Sequence, residues 1–470
     1  MTPYDKVKER YALPFELRPY QTNSVNNLLC PYQRAGLYDE PGTGKTASAT
    51  VFSLYWHLME GTGPYIVLLP PILIPQLGAW LASITDLATG KSLSSVAYTG
   101  TPAQRKKLDL KQDYILTTYG LLKNDYEYLY DWLSSRPYGV IADEAHVIKN
   151  IESQTHKAVK HLAEGRVFAP MTGTPTTTPG DSYAYIKLLA PDIYRNKRHF
   201  ERLHVGGRDE YDNISEWINL DLLAENMKVH TSRILRREVR KEVPDVIYTP
   251  IKYDLDPAHL DLYNRISEER LVEFEDGSEI DAVSVQALRS ALQQVVMNWA
   301  DYDDVPGRVP RGLELIEETL DELGNRKLVV VANFRRTNAY LLRALSKYGA
   351  VAVYGDVSPA EKQKAIRTFV EYPACRVILL QPQSAGFGVD GLQKVCSDML
   401  IVEAPTTAPP FHQVVARLDR EGQTEPVHCR IGVASGTVQV RMLKNLLDND
   451  SLTNKVQGGY KDLRDMVYGR

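Results

Sequence analysis

The stretch GLYDEPGTGKTAS, residues 36 to 48, limits the fold more than any other part of the chain. Ahead of it, RAGLYD is a short apolar run suited to a buried strand, and after it KTASATVFSLYWHLME places apolar residues at helical spacing. Strand, glycine loop and helix in that order form a phosphate cradle. Gly42 and Gly44 let the backbone bend until successive N–H groups face one phosphate cluster, and the start of the helix adds its partial positive charge. Lys45 then reaches the β and γ phosphates, and Thr46 sets its hydroxyl on Mg²⁺. Gly42, Thr43, Gly44, Lys45 and Thr46 are therefore the candidate nucleotide-binding residues. The strict pattern has glycine at position 39, where this chain has Asp39.

A second window fits the first. In YGVIADEAHVIKN, a strand-like run from Tyr138 to Ala142 ends in Asp143, Glu144, Ala145 and His146. A carboxylate at the C-terminal end of a parallel strand is where a magnesium-bound nucleotide is met in such a sheet. Asp143 is expected to hold Mg²⁺ through water, and Glu144 to polarise the attacking water. The pair implies hydrolysis of a nucleoside triphosphate rather than transfer to a small acceptor, so a small-molecule kinase fits poorly.

With 470 residues the chain exceeds one ordinary core, and two or three domains are expected. A content of 43% hydrophobic and 24% charged residues is that of a soluble globular protein. No apolar run approaches the ~20 residues of a membrane span, and the charged N-terminus lacks a signal-peptide core. No membrane partner is expected, and the expected location is the cytoplasm of a bacterial cell or an infected host. Cys30, Cys375, Cys396 and Cys429 are scattered without metal-ligand spacing, which argues for a reducing compartment and against zinc. A net charge of −4 means that any nucleic-acid contact must come from a local basic surface.

Together these windows resemble the superfamily-two helicases with a DEAH box, and most closely the Swi/Snf-type DNA translocases. LRPYQTNSVNNLL (17 to 29) is similar to that family's adenine-reading segment, with Gln21 on the base edge. DEPGTGKT matches its variant loop, which also has Asp at the position of Asp39. VLLPPILIPQLGAWL (67 to 81) and ILTTYGLL (115 to 122) resemble its segments that touch the nucleic-acid backbone, which nominates Thr117 and Thr118. MTGTPTTT (171 to 178) resembles its Gly-Thr-Pro coupling motif, but Thr176, Thr177 and Thr178 stand where Ile-Gln-Asn is usual.

The second half continues the likeness. Residues 327 to 345 and 351 to 369 each read as strand then helix, followed by strands RVILLQ (376 to 381) and DMLIVE (398 to 403). SAGFGVDGLQ (384 to 393) resembles the fifth motif, nominating Ser384 for nucleic acid and Gly388 and Asp390 for nucleotide. Gln413, Arg417 and Arg420 keep the spacing of the arginine-finger motif. Asp390 replaces a common Asn, and Ala416 a common Asp. The basic run TSRILRREVRKEVPDVI (231 to 247) is expected to hold one helix: with Glu238 and Glu242 interleaved it reads equally as a solvated charged face, and its likeness to the family's LRR segment implies that Arg236 and Arg237 face phosphate at the cleft.

The resemblance implies two RecA-like α/β domains with parallel sheets and an ATP site in the cleft between them. The expected divisions are 1–180 for the first, 181–312 for a helical insertion and linker containing the basic segment 231–241, 313–438 for the second, and 439–470 for a C-terminal helical brace. It also implies an ATP- and Mg²⁺-dependent monomer that moves along duplex or branched DNA, with replication or recombination proteins as partners. The lack of appended modules suggests a bacterial or bacteriophage source. Two rivals stand beside this reading: a strand-separating helicase on single-stranded DNA or RNA, and a nucleotide-gated DNA clamp or scaffold.

Overall fold

Apolar runs of four or five residues, too short to be helices, become buried strands. In the computed structural model, which describes residues 1–210, 212–239, 246–269, 271–273, 279–281, 285–298, 309–355, 357–385 and 389–457, the chain divides into two units, the first drawn from residues 1–240 with the stretch from 452, the second from 241–451. The first unit holds a seven-stranded sheet in the order Thr231–Ser232, Gly36–Leu37, Val167–Met171, Gly139–Asp143, Tyr65–Leu68, Tyr114–Thr117, Ser95–Ala97. Every neighbouring pair is parallel. Strands covered on both faces read as continuous apolar runs, and alternate side chains feed opposite cores. Ile66, Leu68, Val140 and Ala142 pack with Leu122, Leu129, Val159 and Leu162 on one face. Tyr65, Val67 and Ile141 pack with Val51, Phe52 and Leu81 on the other.

Register then decides where the chemistry collects. Leu37 and Asp143 each lie beside Met171, Ala142 lies beside Leu68, and Leu68 beside Thr117. The segments that follow these residues therefore leave from one edge, the C-terminal ends of the strands, where open α/β sheets bind ligands.

The second unit repeats the plan with a six-stranded parallel sheet in the order Val246–Tyr253, Val427–Ala434, Asp398–Ile401, Leu328–Val331, Val377–Leu380, Val351–Val353. The two α/β units on parallel sheets are the fold class expected. The helix Val438–Gln457 closes the described chain, and Met442, Leu443, Leu446 and Leu447 on it are buried in the second unit's cores.

The region 181–312 is not one insertion. Residues 182–239 fold with the first unit, where Thr231–Ser232 adds an edge strand beside Gly36–Leu37, whereas Pro257–Glu269 and Val285–Asn298 belong to the second. An edge strand of two residues has too little pattern to be seen in sequence. The basic run is likewise strand, turn and the four-residue helix Arg236–Val239. Backbone pairing of Ser232 and Ile234 with the phosphate-loop strand competes with helix there: Tyr38 N–H donates to Ser232 O and Glu40 N–H to Ile234 O. No described helix is long and apolar enough to cross a membrane.

Candidate functional site

The helix Lys45–Glu60 begins at Lys45, with Gly44 as its N-cap. Gly42 and Gly44 take φ of 83° and 82°, a left-handed conformation that side chains resist. A Cβ on Gly44 would lie 2.5 Å from Gln21 Nε2. Among the described residues, the N–H groups of Gly42, Gly44, Lys45 and Thr46 find no acceptor. A row of unpaired donors at the start of a long helix fits a phosphate chain. Lys45 Nζ folds back onto the loop instead, donating to Asp39 O at 2.8 Å and Glu40 O at 3.3 Å. Burial lowers its pKa, against the pull of Glu144, Asp39 and Asp143. Thr43 is buried and spends its hydroxyl on Glu40 O, so it shapes the loop, whereas Thr46 is exposed on the first helical turn.

Asp39, the departure from the strict pattern, has a use. It is buried, and its Oδ1 accepts from Ser232 Oγ at 2.7 Å and from Ile234 N–H at 2.9 Å. Burial raises its pKa, and the Ser232 hydrogen bond, Lys45 and the Ile234 N–H oppose the rise. Arg233, which sequence reasoning left in a helix, donates from Nη1 to Tyr38 O and to Gly173 O, the latter at 3.0 Å. The edge segment 231–236 thus pins both the phosphate loop and the Gly-Thr-Pro loop.

Gln21, expected on a base edge, turns its amide onto the phosphate loop in this structure. It is buried; Nε2 donates to Thr43 O at 3.1 Å and Gly44 O at 3.0 Å, and Oε1 accepts from Arg18 N–H at 2.8 Å. Both amide hydrogens are committed to the loop backbone, so Gln21 braces the phosphate cradle.

At the neighbouring strand end, Asp143 Oδ1 accepts from Glu144 N–H at 2.9 Å. Burial, reinforced by the Glu144 charge and opposed by Lys45, pushes the Asp143 carboxyl up to about 7. As pH falls through that value the carboxyl takes up a proton, and a bound cation must displace it. Thr46 and Asp143 both line one cavity of about 400 Å³, whose other walls are mostly apolar, among them Val67, Leu69, Leu77 and Trp80. Glu144 adopts φ 50°, a left-handed backbone that costs roughly 1–3 kcal/mol for a non-glycine residue. Its Oε2 lies 3.2 Å from His146 Nδ1.

The residues nominated for nucleic acid fare unevenly. Thr117 is fully buried and donates to Tyr98 O at 3.0 Å, which removes it from any phosphate. Thr118 caps the helix Tyr119–Leu133 by accepting from Leu121 N–H. Arg236 N–H donates to Glu40 Oε2 at 2.9 Å, and the Arg237 side chain lies outside the described residues. The strand Tyr114–Thr117 is buried throughout and Thr118 lies just beyond its end, a boundary that alternation within ILTT does not reveal.

In the second unit, the helix Ala408–Val415 carries Gln413 and ends before both arginines. Arg417 Nη1 and Arg420 Nη1 donate to Val389 O at 3.3 and 3.4 Å, and Arg420 lies 3.2 Å from Asp390 Oδ1. Burial opposes ionisation of Asp390, but Arg420, the Gly391 N–H and Gln393 outweigh it and hold the carboxyl below its usual range. The Asn-to-Asp departure thus gives Arg420 a counter-ion. Gly388 lies outside the described residues. Ser384 donates to Gln381 Oε1 at 3.3 Å on the C-terminal edge of the sheet. There Glu403, missed in sequence, is buried and accepts from Asn333 N–H, Phe334 N–H and Thr337 Oγ1 at 2.8, 3.0 and 2.6 Å. Burial drives its pKa up to about 7 against those three hydrogen bonds. The signal was available: DMLIVE ends an apolar strand in a carboxylate, as YGVIAD does.

Over 445 residues the chain is 26% identical to a chromodomain-helicase-DNA-binding protein 1-like of Danio rerio, covering 87% of the chain and 41% of the relative. Over 464 residues it is 23% identical to an ATP-dependent helicase of Mycoplasma genitalium, covering 92% and 42%. It spans less than half the length of either relative. A solved SWI2/SNF2 ATPase core of Sulfolobus solfataricus in complex with dsDNA shares 20% identity at a TM-score of 0.44, covering 93% of this chain and 91% of that one. The family described as SNF2-related domain matches residues 20–298, more than half of the sequence, and the chain belongs to that family.

Proposed function

We propose that the protein is a DNA-stimulated ATPase that moves along duplex DNA, displacing proteins or moving branched junctions in replication or recombination. The observation that carries this reading is the single sheet edge on which the unpaired N–H groups after Gly42, the Lys45 ammonium and the Asp143–Glu144 pair converge. The loop N–H groups and Lys45 bind the phosphates, Thr46 and Asp143 hold Mg²⁺, and Glu144 orients and polarises water. Bound Mg²⁺ supplies charge neutralisation on the phosphates. Arg417 and Arg420 stabilise charge that develops on the transferring group. The relatives' printed names, with helicase and DNA binding in them, support DNA as the track.

The hairpin formed by Val205–Arg208 and Ile214–Trp217 is not a strand-splitting wedge on this reading. Its turn carries Asp209, Glu210 and Asp212, which repel phosphate. Steady-state hydrolysis is the test, measured without nucleic acid and with linear duplex, a four-way junction, single-stranded DNA and RNA at two salt concentrations, with Lys45→Ala as control. Stimulation by duplex or junction supports the translocase; stimulation by single strands alone supports the unwinding helicase; none at all sinks both.

The Asp390–Arg420 pair adds an expected outcome. With the Asp390 side chain largely exposed, the pair is worth about 0.2–1 kcal/mol. Asp390→Asn should release Arg420 and raise DNA-independent turnover about 1.5- to 5-fold. Unchanged or lower basal turnover in the same assay would show that the pair does not restrain the arginine.

A further inference from the structure

We infer that Asp181 is a positioning residue for hydrolysis: it fastens the threonine run after the Gly-Thr-Pro loop to Lys149, and so ties that loop to the turn that carries Glu144. The inference rests on the hydrolytic part of the function proposed above. Asp181 Oδ2 accepts from Thr177 N–H at 2.7 Å, Thr177 Oγ1 at 2.7 Å and Thr178 N–H at 3.1 Å. Lys149 Nζ lies 3.3 Å from the same oxygen and donates to Thr177 Oγ1. The Thr177 hydroxyl thus accepts from the ammonium and donates to the carboxylate, a role that one hydroxyl can fill. Among the three threonines, it is the Thr177 hydroxyl that joins this pair.

What the staple joins gives it a consequence. Lys149 follows the helical turn Ala145–Ile148, which begins immediately after Glu144. The helix Ser182–Leu189, next after Asp181, makes a second tie, from Tyr185 OH to Ala145 O at 3.0 Å. The start of the Gly-Thr-Pro loop is held to the opposite half of the site, by Thr172 N–H on Leu37 O and Arg233 on Gly173 O, each at 3.0 Å. Residues 172–181 thus span from the phosphate-loop strand to the Glu144 turn, and Asp181 closes the far end. The Lys149 and Asp181 side chains are only 28% and 19% exposed, and Asp181 satisfies the Thr177 and Thr178 N–H groups, so the pair also adds to stability. Its larger contribution is to geometry, because a displacement of about 1 Å at a reacting group costs up to ~10²-fold in rate.

The test uses the full chain. Asp181→Ala and Lys149→Met should each lower kcat for ATP about 10-fold, within the range that misplacement allows, with KM little changed. Asp181→Asn, which keeps an acceptor for the two N–H groups, should recover part of the loss. The double variant should be no slower than the worse single one, since both break one staple. A kcat within twofold of wild type for Asp181→Ala, additive losses in the double variant, or a rise in KM equal to the fall in kcat would each overturn the inference. Should Asp181→Ala fail to fold, Thr177→Val removes only the hydroxyl relay and must lower kcat in the same direction. Failure of DNA stimulation in the wild type strikes the translocase reading instead, and basal kcat of these variants still decides the role of Asp181.

Discussion

Arg420→Ala should lower DNA-stimulated ATP turnover by about 10³-fold or more, with nucleotide affinity of the first unit nearly unchanged. Affinity resides in the loop N–H groups and Lys45, all in the first unit, whereas Arg420 stands in the second. The guanidinium is reachable: its side chain is 25% exposed, held by one backbone carbonyl and one largely exposed carboxylate. A cation that acts only on developing charge affects kcat and leaves ground-state binding alone. Arg420→Lys should recover little, because an ammonium cannot reproduce the planar fork. Turnover by a coupled assay and affinity by a fluorescent nucleotide separate the two quantities. Loss of affinity in step with rate would place Arg420 in ground-state binding, and a loss under tenfold would remove it from catalysis.

Much of this was legible in the sequence, for a physical reason. Helix Lys45–Glu60 and the strands at 139–143, 328–331, 377–380 and 398–401 are continuous periodic or apolar segments, and such patterns survive any tertiary context. The phosphate loop and the Asp143–Glu144 pair were legible because their chemistry depends on local spacing. What escaped depends on pairing across the chain. Arg233 became a clamp on Tyr38 and Gly173 because Thr231–Ser232 found a distant parallel partner, and helix propensity lost to that edge. Gln21 carries the residue type expected for a base edge, yet the close approach of Gly44 draws its amide onto the loop. Thr117 and Thr118 are adjacent in sequence, yet the first is fully buried and the second only half-buried, a distinction set by where the strand ends.

Glu144→Gln is the substitution that separates a motor from a nucleotide-gated clamp. Turnover should fall about 10²- to 10⁴-fold, the range attributed to a positioned general base, while nucleotide and DNA binding persist. Glutamine keeps the length of the side chain and a carbonyl facing His146, so the turn and its left-handed backbone have no cause to rearrange. It loses the negative charge, which removes the drive to polarise water. Removing that charge also relieves Asp143, whose pKa is raised second most by Glu144, so the Mg²⁺-binding carboxylate should ionise more readily in the variant. Tighter nucleotide binding alongside abolished turnover is therefore the expected signature, with the gain largest just below pH 7, where wild-type Asp143 still holds its proton. A DNA-remodelling assay completes the comparison. If the variant remodels DNA as well as the wild type while hydrolysing nothing, binding alone does the work and the clamp reading replaces the motor. If remodelling disappears with turnover, hydrolysis drives the remodelling, because the variant keeps the backbone and binding and lacks only the charge that polarises water.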